Sequence, residues 1–460
     1  MNHKQELSRQ TAWVWLTIFL GIVALVGGSS SPEAIQLAVL RPFAALMLIP
    51  TLYYIRTAQL RDAKILLFLL AMLAFWMALQ IVPLPPEIWQ TLPGRDVVVA
   101  LDAAVGLEGN WRPISFVPTR SWNSLASLVV PSVAVLLALS MRATPRMLLL
   151  LIAGLGFFDA ALGLLQVISG RSSVLYFYAV TNRGSPVGIF ANENHSAVFS
   201  AIALLVVAHL SVTTKKRDGS AWLRLAFPPA YLVILLAVLV SGSRAGLAMA
   251  FLALLSSGVV VWLGITSSRS NRSGSVEKWL ASHPRTLLAL FALVVTGLLG
   301  MFFGLDRAQG LEDIIEKSPI EDLRWRLWPV LEQMIGSYWL LGIGFGSFED
   351  FYNIYEPSSL LSRYFVNHAH NDWAQLVIEG GLPAMVILLA LLLRIALMLL
   401  SLLQDEARSL GRVLFWAVVV AILCAASIVD YPLRAPAFQL AAVWLLLALV
   451  LESNAKEAAE

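Results

Sequence analysis

The sequence predicts an all-α integral membrane protein of about twelve transmembrane helices, with a large polar loop outside the membrane between spans nine and ten. Three observations predict it. Hydrophobic residues make up 58% of the chain and charged residues 13%, against roughly 25% charged in soluble domains, and mean hydropathy is +0.77. Apolar runs close to the ~20 residues that cross a bilayer as a helix recur along almost the whole length. Basic residues cluster on alternate connections between those runs. The net charge of +3, spread in short clusters, gives no support to a nucleic-acid partner. The one cysteine, Cys424, lies inside an apolar run and can build neither an intrachain disulfide framework nor a thiolate metal site.

The predicted spans are Trp13–Gly28, Ala34–Ile55, Ile65–Val82, Ser124–Ser140, Met147–Ile168, Ala197–Val212, Leu225–Val240, Ala245–Gly264, Leu287–Gly304, Trp373–Leu403, Val413–Val429 and Ala437–Leu451. The first follows Lys4 and Arg9 in the manner of a secretory signal, but the spans behind it argue for an uncleaved helix. Lys4/Arg9, Arg56/Arg61/Lys64, Arg142/Arg146, Lys215/Lys216/Arg217/Arg224, Arg269/Arg272/Lys278/Arg285 and Arg408/Arg412 mark the cytoplasmic connections. Both termini are then cytoplasmic, and the excursions Pro83 to Asn123 and Leu305 to Asp372 face the periplasm or cell exterior. Residues 1–460 read as a single polytopic domain without internal repeats. Ser267 to Ser275 is a polar, Ser/Arg-rich inside loop.

Lysine is nearly confined to the inside loops, whereas arginine recurs outside, at Arg95, Arg112, Arg120, Arg171, Arg183, Arg244, Arg307, Arg324, Arg326, Arg363 and Arg434. A planar guanidinium binds phosphate bidentately and stays charged where hydration is poor; snorkelling to lipid headgroups is the simpler use. Arg244 lies in the tight turn Ser241-Gly242-Ser243-Arg244-Ala245-Gly246, where it either reaches water or faces a cavity. Asp322 to Trp328 opens an amphipathic helix running to Ile335, with Asp322 placed to cap it and Arg324 and Arg326 alternating with tryptophans.

Gly342-Ile343-Gly344-Phe345-Gly346 lacks the strand, lysine and spacing of a nucleotide loop, and serves backbone geometry more simply. His368, His370 and Asp372 alternate, but no third and fourth metal ligand lies nearby in sequence. His370 precedes a helix N-terminus that Asn371 or Asp372 would cap, so an imidazole able to exchange protons near neutral pH stands at a positive helix end. A structural loop histidine is the alternative. Arg41-Pro42, Asp159 and Gln166 interrupt apolar helices, and Asp430-Tyr431-Pro432-Leu433-Arg434 ends the next-to-last span, where a local Asp430–Arg434 pair competes with substrate contact.

These elements resemble the O-antigen ligase and O-antigen polymerase superfamily, most sharply over residues 225–393, including loop 305–372. The resemblance rests on Gly188-Ile189-Phe190-Ala191-Asn192-Glu193-Asn194-His195, the Ser-Gly-Ser-Arg turn, the Arg324/Arg326 helix with Gly342-Ile343-Gly344, and the histidine motif. That motif is His, then Asn, Ser or Gln, nine residues, then Gly-x-x-Gly, Thr or Tyr. His370, Asn371 and Gly381 fit it, and Ala384 departs from it, which blurs ligase against polymerase.

The resemblance implies a GT-C-like membrane glycosyltransferase of the bacterial inner membrane with its active site on the periplasmic side. It implies an undecaprenyl-pyrophosphate-linked glycan as donor, a glycan or lipid A-core as acceptor, and no cofactor or metal. Arg244 and one of Arg324 or Arg326 would neutralise the leaving pyrophosphate, and His370 would take the acceptor proton. Asn192, Asn194, Asn371, Arg434 and Arg41 would complete the substrate site. An O-antigen or exopolysaccharide polymerase is the alternative within the family. A lipid-linked glycan transporter or flippase is the alternative of another class, although no repeated halves are seen and the conspicuous polar residues gather on one face instead of the membrane centre. A structural scaffold for an envelope complex would need no arginine and histidine together on one face.

Overall fold

The computed structural model describes residues 8–31, 34–214, 221–267, 296, 319–361, 366–403 and 409–457. The predicted span Leu287–Gly304, Thr296 apart, lies outside these residues, as do the predicted inside loop beyond Ser267 and loop residues 305–318 and 362–365. The described chain is helical, with one isolated bridge between Leu84 and Arg112. In order the helices are α1 (Arg9–Val26), α2 (Leu37–Leu46), α3 (Leu48–Tyr54), α4 (Thr57–Asp62), α5 (Lys64–Leu79), α6 (Pro86–Trp89), α7 (Asp96–Val105), α8 (Pro118–Ser127) and α9 (Val129–Ser140). There follow α10 (Pro145–Ser169), α11 (Glu193–Thr213), α12 (Ala221–Val240), α13 (Arg244–Ser267), α14 (Pro319–Tyr338), α15 (Phe348–Tyr355), α16 (Asp372–Leu403), α17 (Ser409–Val429) and α18 (Pro436–Glu457).

Among the described residues ten helices are long and apolar enough to cross a membrane, with α2–α3 and α8–α9 each counting as one. The third predicted span is the shorter apolar helix α5. The predicted boundaries lie close to the observed ones because local chemistry sets them. In α10, for example, the Thr144 hydroxyl accepts from the Met147 amide at 3.2 Å, Pro145 occupies the first turn, and Gly170 ends the helix with φ 82°. Helix α11 sits at the centre, packed against α10, α12, α13 and α17 and buried almost all round.

The polar interruptions of α10 serve the loop before α11. Asp159 accepts from the Ile189 amide and the Ser196 hydroxyl, both at 2.8 Å, and the Gln166 side chain exchanges two 2.8 Å hydrogen bonds with the Gly188 backbone. The same loop is tied to the end of α1, where the Ala191 amide donates to the Gly28 carbonyl at 3.0 Å. Asp159 and Gln166 thus hold the loop that delivers Asn192, Asn194 and His195.

The described part of the polar loop is itself a packed layer. Leu327, Val330, Leu331, Met334 and Tyr338 bury one face of α14, against Ile343, Phe348, Tyr352 and Ile378. Phe116, Tyr338, Phe351 and Tyr355 form an aromatic cluster, and the Arg95 guanidinium lies 3.8 Å from the Phe116 ring centroid. Arg120 pairs with Asp350 at 2.7 Å and joins this layer to α8. Helix α14 begins at Pro319, earlier than the predicted cap at Asp322, because proline fits the first turn of a helix without losing a hydrogen bond.

Helix α16 breaks at Gly381 (φ 61°, ψ −161°), two residues before Pro383. Proline removes the amide that would bond to the Glu379 carbonyl and crowds that turn. The Glu379 carbonyl accepts instead from Gln80 Nε2 at 2.9 Å and the Gly344 amide at 3.0 Å. The Gly380 carbonyl accepts from Trp76 Nε1 at 2.7 Å, and the Ile343 amide donates to the Ile378 carbonyl at 2.9 Å. A Cβ on Gly342 would collide with the Glu379 carbonyl, so the glycine loop is a backbone clamp on the kink. Ala384 faces Gly380 so closely that a Cβ there would meet its own, leaving little room for a larger residue.

Candidate active site

At one end of the bundle the loop before α11, the turn between α12 and α13, the segment before α16 and the turn after α17 converge. Asn192 caps α11 by accepting from the Asn194 amide at 2.8 Å. The Asn194 side chain then works in both directions: its Nδ2 donates to Asp430 at 2.9 Å, and its Oδ1 accepts from the Ser243 hydroxyl at 2.7 Å. Ser243 is the residue before Arg244, and its hydroxyl also accepts from the Gly246 amide at 2.9 Å, which fixes the turn. Arg244 starts α13 half-buried beside this network.

His370 reaches the same carboxylate from the opposite side. Its Nδ1 is buried, has no hydrogen bond, and lies 3.6 Å from Asp430 Oδ1, within ion-pair reach but longer than a hydrogen bond. The residue sits in the left-handed region at φ 48°, a conformation that costs a non-glycine residue about 1–2 kcal/mol. Asn371 accepts from the Ala374 amide at 3.0 Å and is the cap of α16. The Tyr431 ring is the hub, with centroids 5.0 Å from His370, 4.4 Å from His368 and 5.3 Å from His195. Both ring nitrogens of His195 are buried without a hydrogen bond.

Beyond Tyr431 lies a second polar centre, on a cavity of about 370 Å³ lined by Ser30, Arg41, Asn123, His368, Glu379 and Arg434 among others. Arg434 does not form the local pair with Asp430. Its Nη1 donates to Glu379 at 3.0 Å and its Nε to Asp372 at 3.4 Å, because the 3-10 turn Pro432–Arg434 carries it back over the first turns of α16. Burial works against its charge, but Glu379 and Asp372 outweigh burial and raise its pKa above the ordinary arginine value. Gln375 donates to Glu379 at 3.0 Å and lies 3.3 Å from His368 Nδ1. Burial, helped by the Arg434 charge, pushes His368 down to about 3, so its ring stays neutral. Arg41 donates to Asn123 at 2.5 Å, and its Nε is buried without a partner.

The structure thus brings Asn192, Asn194, His370 and the Arg244 turn together, with Asn371 capping the helix behind His370. Arg41 and Arg434 fall in the neighbouring cavity. Arg326 lies on the exposed face of α14 and donates to the Ser359 carbonyl; Arg324 is on the same helix, but its side chain lies outside the described residues. Sequence reasoning missed Gln375 and Glu379, although Asp372, Gln375 and Glu379 share one face of α16 by their spacing. Asp430 pairs with Asn194 and faces His370 instead of forming the expected local pair with Arg434, and His195 packs against Tyr431. Among the described residues no group of three or more His, Cys, Asp or Glu converges as a metal site.

Fold and site define a multi-pass, all-helical membrane protein whose polar residues converge on a histidine–carboxylate–amide network at one end of the bundle. Residues 229–389 match the family model described as O-Antigen ligase, so this stretch of the chain is similar to that family. The match holds Arg244, Arg324, Arg326, His370 and Asn371, while Arg41, Asn192, Asn194, Asp430 and Arg434 lie outside it. No curated protein matches the chain.

Proposed function

We propose that the protein is a membrane glycosyltransferase that moves a glycan from undecaprenyl pyrophosphate onto an acceptor hydroxyl at the outer face of the inner membrane. The observation that carries the reading is the chain of side chains from His370 through Asp430 and Asn194 to Ser243, which couples the proposed base to the turn of the proposed phosphate ligand, Arg244.

A carboxylate facing Nδ1 favours the tautomer with its proton there, leaving Nε2 as the acceptor. In the transfer the acceptor oxygen bonds to the anomeric carbon as that carbon's bond to the pyrophosphate oxygen breaks. The hydroxyl proton passes to His370 Nε2, and the negative charge gathering on the departing undecaprenyl pyrophosphate is met by Arg244 and by Arg324 or Arg326 of α14. Guanidinium groups supply the neutralisation that a divalent cation would otherwise provide, and pyrophosphate leaves without protonation.

The acceptor is lipid A-core in the ligase form of this reading, and another glycan in the polymerase form. Reconstitution with an undecaprenyl-pyrophosphate glycan tests the reading: Arg244→Ala and His370→Ala should each lower transfer by about 100-fold or more. Full transfer by both variants would overturn it. Deleting the gene separates the two forms, since long chains left on the carrier indicate a ligase and single repeats a polymerase.

A further inference from the structure

The end of the bundle opposite His370 carries a second cavity, of about 380 Å³, between the start of α5, the inner half of α16 and α18. Three basic residues line it, Arg61, Lys64 and Arg394, with Asp62 as the only acid. None of the three bases makes an ion pair or side-chain hydrogen bond with a described residue, and Asp62 pairs with none of them. Below them the wall is apolar, formed by Leu66, Leu391 and Leu446.

Helix lengths explain why the charges meet. Helix α5 has 16 residues and spans about 24 Å, short of the ~30 Å hydrocarbon core, so its basic end stops inside the membrane margin. It runs antiparallel to α16, joined near their outer ends by the Trp76–Gly380 hydrogen bond. Counting inward from that bond, Lys64 lies about 18 Å and Arg394 about 21 Å along their helices, at matching depth. Arg394 sits between the exposed Leu393 and Leu397 on a helix that is largely open to lipid. A charge within a spanning segment requires a partner, and since no described residue pairs with Arg394, a lipid on this open side can supply one.

We propose that this cavity binds the phosphate headgroup of an anionic glycerophospholipid, held by Arg61, Lys64 and Arg394, with an acyl chain against the leucines of α16. A basic pocket between spanning helices above an apolar wall is the arrangement that selects such headgroups. The site is separate from the His370 network and does not depend on the chemistry proposed there.

Native mass spectrometry of the purified full-length protein, offered equimolar phosphatidylglycerol and phosphatidylcholine of identical chains, tests the assignment. The wild type should retain phosphatidylglycerol at least about tenfold over phosphatidylcholine, and Lys64→Gln and Arg394→Gln should each reduce that preference about fivefold. Arg56→Gln, a base at the same end but outside the cavity, should leave it unchanged. Equal retention of the two lipids by the wild type overturns the proposal without recourse to any variant. So does an Arg56→Gln loss as large as that of Arg394→Gln, which would mean diffuse surface charge instead of a site.

Discussion

Replacing Glu379 tests whether the buried polar centre holds α16 in place beneath His370. The Glu379 side chain is fully buried and accepts three hydrogen bonds: from Arg434 Nη1 at 3.0 Å, Gln375 Nε2 at 3.0 Å and the Phe348 amide at 3.3 Å. Leucine at this position would leave all three donors without that acceptor, and Arg434 would keep only Asp372 at 3.4 Å. Removing one partner of a buried ion pair costs about 3–5 kcal/mol. Because Arg434 is 21% exposed and retains Asp372, the lower half of that range is expected for Glu379→Leu. Glu379→Gln keeps an acceptor oxygen and loses chiefly the charge assistance, for a cost of about 1.5–3 kcal/mol.

Equilibrium unfolding in mixed micelles, followed by tryptophan fluorescence, measures both variants, and the cycle with Arg434→Leu isolates the pair. The double variant should recover at least about 1 kcal/mol relative to the sum of the single ones, because it no longer strands a charge. Unfolding of Glu379→Leu within about 0.5 kcal/mol of wild type, or a coupling energy of zero, would refute the reasoning, since neither is compatible with a desolvated pair that needs both partners.

Two further outcomes follow from the clamp and from His368. Gly342→Ala should destabilise by more than about 2 kcal/mol, since φ is 74° and its Cβ would meet the Glu379 carbonyl; Gly336→Ala, in α14 with open space around it, should stabilise by about 0.5–1 kcal/mol in the same assay. His368 is pushed from 6.5 to about 3 by burial and the Arg434 charge, so below pH 6.5 the unfolded chain binds a proton that the folded state excludes. The resulting stability is full above pH 6.5 and is lost progressively as pH falls towards 3. Unfolding at stepped pH should therefore show a shallower acid loss in His368→Gln than in wild type, and equal slopes would contradict a neutral buried ring.

The bundle was legible in the sequence because lipid imposes one requirement on every span, about 20 apolar residues with internally satisfied backbone, and that requirement is local. The α14 amphipathic stripe is local as well. Asn371 could be read as a cap for the same reason, since a cap needs only the next turn of its own helix.

What the linear order could not decide was which loops meet. Asn194 and Asp430 join at 2.9 Å across 236 positions, and His368 faces Ser30 at 3.4 Å across 338. Such pairs depend on how helices of matching depth pack side by side, which no periodicity encodes. The same packing sends Arg434 to Glu379 instead of its neighbour Asp430, and it sets Lys64 level with Arg394. Among the described residues the sequence by itself determined which segments span the membrane and roughly where most of them end. Only the tertiary structure decided which polar residues come together, because a buried charge such as Arg434 needs a partner and finds it on another element of the bundle.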